Sequence, residues 1–203
     1  TALLQTKLKV QPILAGIITM TALYSINLMI MGNRANLPLL KCETIYTLLA
    51  PYLPAGYDKL IVIGCIVAVV VILLYVFLKS GTGLAVRATG DNPDLVRSSS
   101  INPSVTITIG LCLANAMVAL SGAMLAQYQL FSDITNGTGM VVIGLASLIM
   151  GEAIIGRGSM QRCLFSTLIG SIIYRLIIAV AITSSLAASN LKLISAVIVA
   201  ISI

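Results

Sequence analysis

The chain has 203 residues, 59% of them apolar and 9% charged, with a formal net charge of +6 and no histidine. Soluble domains run at about half apolar and about a quarter charged, and 12 Lys/Arg with 6 Asp/Glu cannot coat a water-facing globule. A soluble helical protein is excluded, and the composition is that of an integral membrane protein.

The missing histidine removes further classes. No Ser-His or Cys-His nucleophile pair and no His-ligated zinc or haem site can form. Cys42, Cys65, Cys112 and Cys163 are widely spaced and include no C-x-x-C. Cys65 and Cys112 lie inside apolar runs, where a thiol packs as a small hydrophobe. No metal site and no catalytic residue is assigned, and the chain reads as no enzyme. Its basic residues sit in loops between apolar runs, not in the aromatic and basic stripe of a nucleic-acid surface. The expected partner is a lipid bilayer, and nucleic acid is not one.

A membrane helix needs about 20 mostly apolar residues to cross about 30 Å of hydrocarbon. In chain order, 12–31, 60–78 and 105–127 are runs of that length. Residues 140–155 form a shorter, glycine-punctuated run, 164–182 is full length, and 191–203 meets the end of the chain. Backbone groups in lipid must be satisfied internally, so these segments are helices; barrel-type alternation is absent. The expected fold is all-α, a polytopic transmembrane helical bundle of about six segments. The 140–155 segment reads equally as a tilted, partly re-entrant helix or as a plain span.

Basic residues orient the chain. Lys7 and Lys9 precede the first run, Lys79, Arg87 and Arg97 follow the second, and Arg157 and Arg162 follow the fourth. The opposite loops hold Arg34, Lys41 and Lys59, offset by Glu43, Asp58 and Asp133. The positive-inside rule puts the richer set in the cytoplasm of a multi-pass plasma-membrane protein. The chain opens at Thr1 and ends at Ile203 within an apolar run. It reads as the inner part of a longer membrane protein, truncated at both ends.

The cytoplasmic loop 79–104, KSGTGLAVRATGDNPDLVRSSSINPS, is the most structured. Gly81 and Gly83 release the chain from the preceding helix, and Leu84, Ala85 and Val86 form a short amphipathic turn. Asp91, Asn92, Pro93 and Asp94 form a helix start: a capping side chain, proline in the first turn, and an acid at the positive dipole end. Asn102-Pro103 stops the same element. The spacing predicts a two-turn helix over 93–101, with Leu95, Val96 and Ile101 to dock and Arg97, Ser98, Ser99 and Ser100 to face water. A short capped helix between two spans has the shape of a piece that plugs into a soluble partner.

From Gly81 to Ile203 the chain resembles the C-terminal half of an ATP-binding cassette (ABC) importer permease of the branched-chain amino-acid and ribose type. The matching features are G-x-x-x-R-A-x-G-x-N followed by S-I-N, then LANAMVALSGAMLA, N-G-T-G-M, G-L-A-S-L-I-M-G-E and G-R-G-S. The N-terminal stretch ILAGIITMTALYSINLMIMG is similar to an uncharacterised subgroup associated with aromatic amino-acid import. Glu152 and I-I-G-R-G-S stand where sugar permeases carry a longer glycine-rich stretch, which argues against a sugar.

The resemblance implies a type II importer-like fold, with 1–203 as a single permease domain. It also implies two permease copies, ATP-binding subunits and an extracellular solute-binding protein. It makes the 93–101 helix the coupling helix, with Asp91 through Ser100 meeting the ATP-binding subunit. The implied function is translocation of a small solute, an amino acid, across the plasma membrane. The chain has no G-x-x-x-x-G-K-[ST] phosphate loop; it needs no cofactor, ATP being bound by the partner subunit. The rival reading is a secondary carrier or channel without an ATPase. It is disfavoured because no Asp or Glu lies mid-span.

Small residues recur at four-residue spacing, Ala119/Ala123 and Gly122/Ala126 in the third run and Ser147/Gly151 in the fourth. Such pairs predict close helix contacts in lipid, some of them with a second copy. Asn27, Asn115, Gln127, Tyr128 and Arg175 are polar residues within or at the ends of spans, where they are costly unless paired or lining a cavity. They are the candidate pathway residues. For Arg175 a snorkelling role competes with that of a cation suited to a carboxylate-bearing solute.

Overall fold

Three helices open on proline, whose fixed torsion suits the first turn and whose missing N–H costs nothing there. They are α2 (Pro12–Ile30), α6 (Pro93–Ser98) and α7 (Pro103–Gln129). The computed structural model describes residues 1–183 except 41, 53, 55, 136, 138, 139 and 157. The remaining helices are α1 (Ala2–Thr6), α3 (Ile45–Leu49), α4 (Asp58–Lys79), α5 (Gly81–Asp91), α8 (Met140–Ile155) and α9 (Met160–Thr183), with a 3₁₀ turn at Ala50–Tyr52. Two three-residue strands, β1 (Asn36–Pro38) and β2 (Phe131–Asp133), complete the described elements.

Four helices are long and apolar enough to cross a membrane: α2, α4, α7 and α9, with mean hydropathies of 1.9, 3.3, 1.9 and 2.0. α4, α7 and α9 contain the expected runs 60–78, 105–127 and 164–182, and α2 covers the run 12–31 except for Met31, which is its C-cap. Their ends reach further where polar residues complete the helix. Asp58 occupies the first turn of α4 and Lys79 its last, each opposite in sign to its end of the helix dipole. A window that counts only apolar residues leaves such ends out. The apolar sides of these helices are bare: Ile13 is 79% exposed and Val118 70%. Such surface belongs against lipid tails, not water.

α8 keeps the bounds 140–155 as one continuous helix of 16 residues. At about 24 Å it falls short of the hydrocarbon thickness. The sixth expected segment, 191–203, lies outside the described residues, as do Lys41, Arg157 and Lys192.

The chain divides into two compact units, Thr1–Ile134 and Thr135–Ile203. In the first, α1 packs on α2 and α7, α3 on α4 and α7, and α5 on α4, α6 and α7. Thr1 Oγ1 donates to Thr19 Oγ1 at 2.8 Å, tying the start of α1 to α2 above the buried Ala15. β1 and β2 pair antiparallel, Asn36 with Asp133, Leu37 with Ser132 and Pro38 with Phe131. In the described part of the second unit, α8 packs along α9. A Cβ on Gly151 would strike the Ser166 carbonyl, and one on Gly170 would lie 2.7 Å from the Gly151 nitrogen. The Ser147/Gly151 spacing therefore marks where the two backbones meet. Ala119, Gly122 and Ala123 are exposed, and no described helix covers them.

The 79–104 loop departs most from expectation. Gly81 and Gly83 do not release the chain, and 84–86 is not an isolated turn: all lie in the 11-residue helix α5. Ser80 is the reason. Its backbone is extended and its Oγ accepts from Gly83 N–H at 3.2 Å, so one helix ends and the next is capped at a single residue. The predicted 93–101 helix stops at Ser98, and Asn102-Pro103 opens α7 instead of ending α6.

Candidate functional site

The chain between α4 and α7 is an elbow of two helices. Ser80 starts it, with its hydroxyl donating to the Phe77 carbonyl at 2.5 Å. Gly83 is required next, because a Cβ there would collide with Phe77 O and stand 2.6 Å from Leu78 Cα. α5 then runs to Asp91, and Asn92, in an extended conformation, turns the chain. Asn92 Oδ1 accepts from Asp94 N–H at 3.0 Å and Leu95 N–H at 3.2 Å, satisfying two free donors of α6.

α6 ends in a Schellman motif. Ile101 N–H donates to Val96 O at 3.2 Å and Ser100 N–H to Arg97 O at 3.1 Å, with Ser100 at φ +62°. Glycine usually fills that left-handed position, and its absence hides the stop in the sequence. Asn102 Oδ1 then accepts from Ser104 N–H at 3.0 Å to cap α7. Asp91, Asn92, Pro93, Asp94, Leu95, Arg97, Ser98, Ser99 and Ser100 are all exposed, and Leu95 stands out at 60%. Asp94 and Arg97 approach only to 3.9 Å at this open surface, where an ion pair adds little.

Val96 is the exception. At 2% exposure it is an internal anchor of α6, not a side chain offered to a partner. An α-helix does not present the consecutive residues Leu95 and Val96 on one face, since neighbours in sequence lie about 100° apart around the axis.

A second contact, between α5 and α7, has no signal in the residue pattern. Thr89 on α5 and Thr106 on α7 are buried, and their hydroxyl oxygens lie 2.7 Å apart. Thr89 Oγ1 is also 2.7 Å from Ala85 O, and Thr106 Oγ1 2.9 Å from Pro103 O. Nearby, a Cβ on Gly110 would sit 3.3 Å from Val86 Cγ1, so α5 and α7 run close. A groove of about 330 Å³ opens beside them, lined by Thr82, Ala85, Ile101, Val105, Thr106 and Ile109 among others.

Gln127 and Tyr128 come together at the far end of α7. Gln127 Oε1 accepts from Ile45 N–H at 3.0 Å, capping α3 across 82 residues of sequence. Tyr128 meets Tyr46 edge-to-face at 6.2 Å, and Lys59 Nζ lies 5.2 Å above its ring. The buried Tyr46 donates its hydroxyl to Met124 O at 3.4 Å. Burial, and then the neighbouring Tyr128, push the Tyr46 hydroxyl above its ordinary pKa. The gap among Ile45, Tyr46, Ile66, Met124 and Gln127 is too narrow for a water molecule. Gln127 is thus committed to the backbone of α3.

Asn115 is exposed midway along α7, its Nδ2 donating to Leu111 O at 2.7 Å within the same helix. Asn27 is exposed on α2, and Arg175 is exposed on α9 in the second unit, beside the buried Tyr174. Among the described residues, no group of His, Cys, Asp or Glu is placed to hold a metal ion.

The family model for the permease component of branched-chain amino acid transport systems matches residues 1–202. The chain belongs to that permease family. It is a multi-pass membrane protein of a transport family. A tyrosine transport system permease protein of Clostridioides difficile (strain R20291) is 33% identical over 199 residues, covering 98% of this chain and 65% of the relative. An uncharacterized protein of Rickettsia prowazekii (strain Madrid E) is 30% identical over 204 residues, covering 98% of this chain and 71% of the relative. The chain therefore spans about two thirds of the length of these relatives. No solved structure matches it.

Proposed function

We propose that the chain is the membrane-spanning part of an ABC importer permease that moves an amino acid, of aromatic type, into the cell. Elbow 79–104 is cytoplasmic in this reading, and α6 is the coupling helix. The observation that carries it is α6 itself: capped at both ends and anchored internally by Val96, with Leu95 and a polar rim left free for a soluble partner. Family membership supports the transport reading, and the similarity to a tyrosine transport system permease supports the solute class. The seven-to-three excess of basic residues in alternate loops supports the orientation.

The partners in this reading are an ATP-binding subunit that supplies all nucleotide chemistry, an extracellular solute-binding protein and a second permease copy. Closure of the ATP-binding subunits pushes on α6 and rocks the membrane helices. Asn27, Asn115 and Arg175, exposed on their spans, are the polar groups left to line the pathway, with Arg175 facing the solute carboxylate.

Co-purification tests the reading. The intact permease should retain an ATP-binding subunit, and Leu95→Asp should release it without lowering the permease's own stability, since Leu95 is exposed. Retention of the subunit by Leu95→Asp, or its absence from the wild type, overturns the assignment.

A further inference from the structure

We propose that the Thr89–Thr106 pair is the link through which α6 moves α7, so that α5, α6 and the first turn of α7 travel as one piece. The inference rests on the coupling role given to α6 above and names how that role reaches the membrane.

Proton counting makes the pair more than a coincidence of packing. Two hydroxyls carry two protons, and three close oxygen contacts compete for them: Ala85 O to Thr89, Thr89 to Thr106, and Thr106 to Pro103 O. Were both hydroxyls to donate to their own helix carbonyls, two bare oxygens would face each other at 2.7 Å inside the protein, which is repulsive. One proton therefore always lies between the helices, and the other serves a backbone carbonyl on one side or the other. The contact between α5 and α7 is a standing hydrogen bond between two buried side chains, where such bonds are strong and their loss costly.

Position gives the bond its mechanical sense. Thr106 lies in the first turn of α7, directly after the Asn102 cap, and Thr89 in the last turn of α5, directly before the Asn92 cap. The bond closes the base of the loop that carries α6, whose Val96 is buried. Without it, a push on Leu95 could be absorbed by flexing at Asn92 and at Ser100–Asn102.

The same proton count supplies a clean variant. Thr106→Val keeps the shape and leaves Thr89 free to donate to Ala85 O, so no polar group is orphaned and only the interhelix bond is lost. The test uses the assembled transporter, full-length permease with its ATP-binding subunits, in proteoliposomes, reading solute taken up per ATP hydrolysed. Thr106→Val should lower that ratio roughly five-fold, the worth of one hydrogen bond of about 1 kcal/mol, while the subunit stays bound and hydrolysis continues. Thr106→Ser should restore it. An unchanged ratio in Thr106→Val overturns the inference. So does a loss of uptake and hydrolysis in equal proportion that serine does not rescue, since that is the mark of a purely structural residue.

Should Thr106→Val fail to assemble, a paired Thr89→Cys/Thr106→Cys variant, with Cys42, Cys65, Cys112 and Cys163 replaced by alanine, decides. Oxidised to a disulfide, it should take up at least as much solute per ATP as when reduced, because the covalent link replaces the lost hydrogen bond and the two residues never separate. Transport that stops on oxidation and returns on reduction overturns the inference. A wild type that recruits no ATP-binding subunit overturns the importer reading and this inference together. A normal wild type with an indifferent Thr106→Val overturns the inference alone.

Discussion

Ser166 on α9 lies against the bare Cα of Gly151 on α8, so close that its carbonyl occupies the place a Cβ would take. Its own hydroxyl is fully buried and has no hydrogen-bond partner. Gly151→Ala must push the helices apart and should cost about 1–3 kcal/mol, the usual penalty for overpacking. Ser166→Ala removes an unsatisfied polar atom and should raise stability by about 1 kcal/mol. Thermal unfolding of the purified permease in detergent reads both, and a destabilised Ser166→Ala would mean that the hydroxyl has a partner.

The two ends of α6 respond in opposite directions. Asn92→Ala takes a carboxamide from two backbone donors and should cost about 1 kcal/mol. Ser100→Gly relieves a left-handed residue with a side chain and should gain about 1 kcal/mol. Amide hydrogen exchange over 93–98 checks this: protection should fall in the first variant and rise in the second.

Tyr46 makes the cluster at the far end of α7 sensitive to alkali. Its hydroxyl is held above the ordinary value of 10.0, first by burial and then by Tyr128. Below that value both folded and unfolded chains keep the proton, and the group has no effect on stability. As pH rises through 10.0 the unfolded chain releases its proton first, so the fold loses stability until the raised folded value is passed. Unfolding compared at about pH 9 and about pH 11 should show this loss. Tyr46→Phe should remove its share while forfeiting only the long bond to Met124 O.

Arg175 is an exposed cation well inside α9. Arg175→Leu should reduce uptake of a carboxylate-bearing solute by about tenfold, the factor that roughly 1.4 kcal/mol of lost attraction gives. Arg175→Lys should keep most of it. Uptake by proteoliposomes measures both, and normal transport by Arg175→Leu would return Arg175 to a snorkelling role.

The four long helices, α8 and the start of α6 were all legible in the residues, because hydropathy over about 20 positions and a capping side chain before proline are local signals. The Ser147/Gly151 spacing pointed to a close backbone contact for the same reason: small residues a turn apart leave a flat face. The stop of α6 was not legible, since a serine stands at the left-handed position where glycine would announce it.

Composition alone settles the solvent. A chain this apolar and this poor in charge must live in lipid, and its runs must be helices because nothing else satisfies the backbone there. Packing of the folded chain selected which polar groups answer one another. It turned Val96 inward and Leu95 outward, sent Gln127 to the backbone of Ile45, and set Thr89 against Thr106. Such pairings depend on where distant helices come to rest, and one threonine in a helix reads like any other until its neighbour is in place.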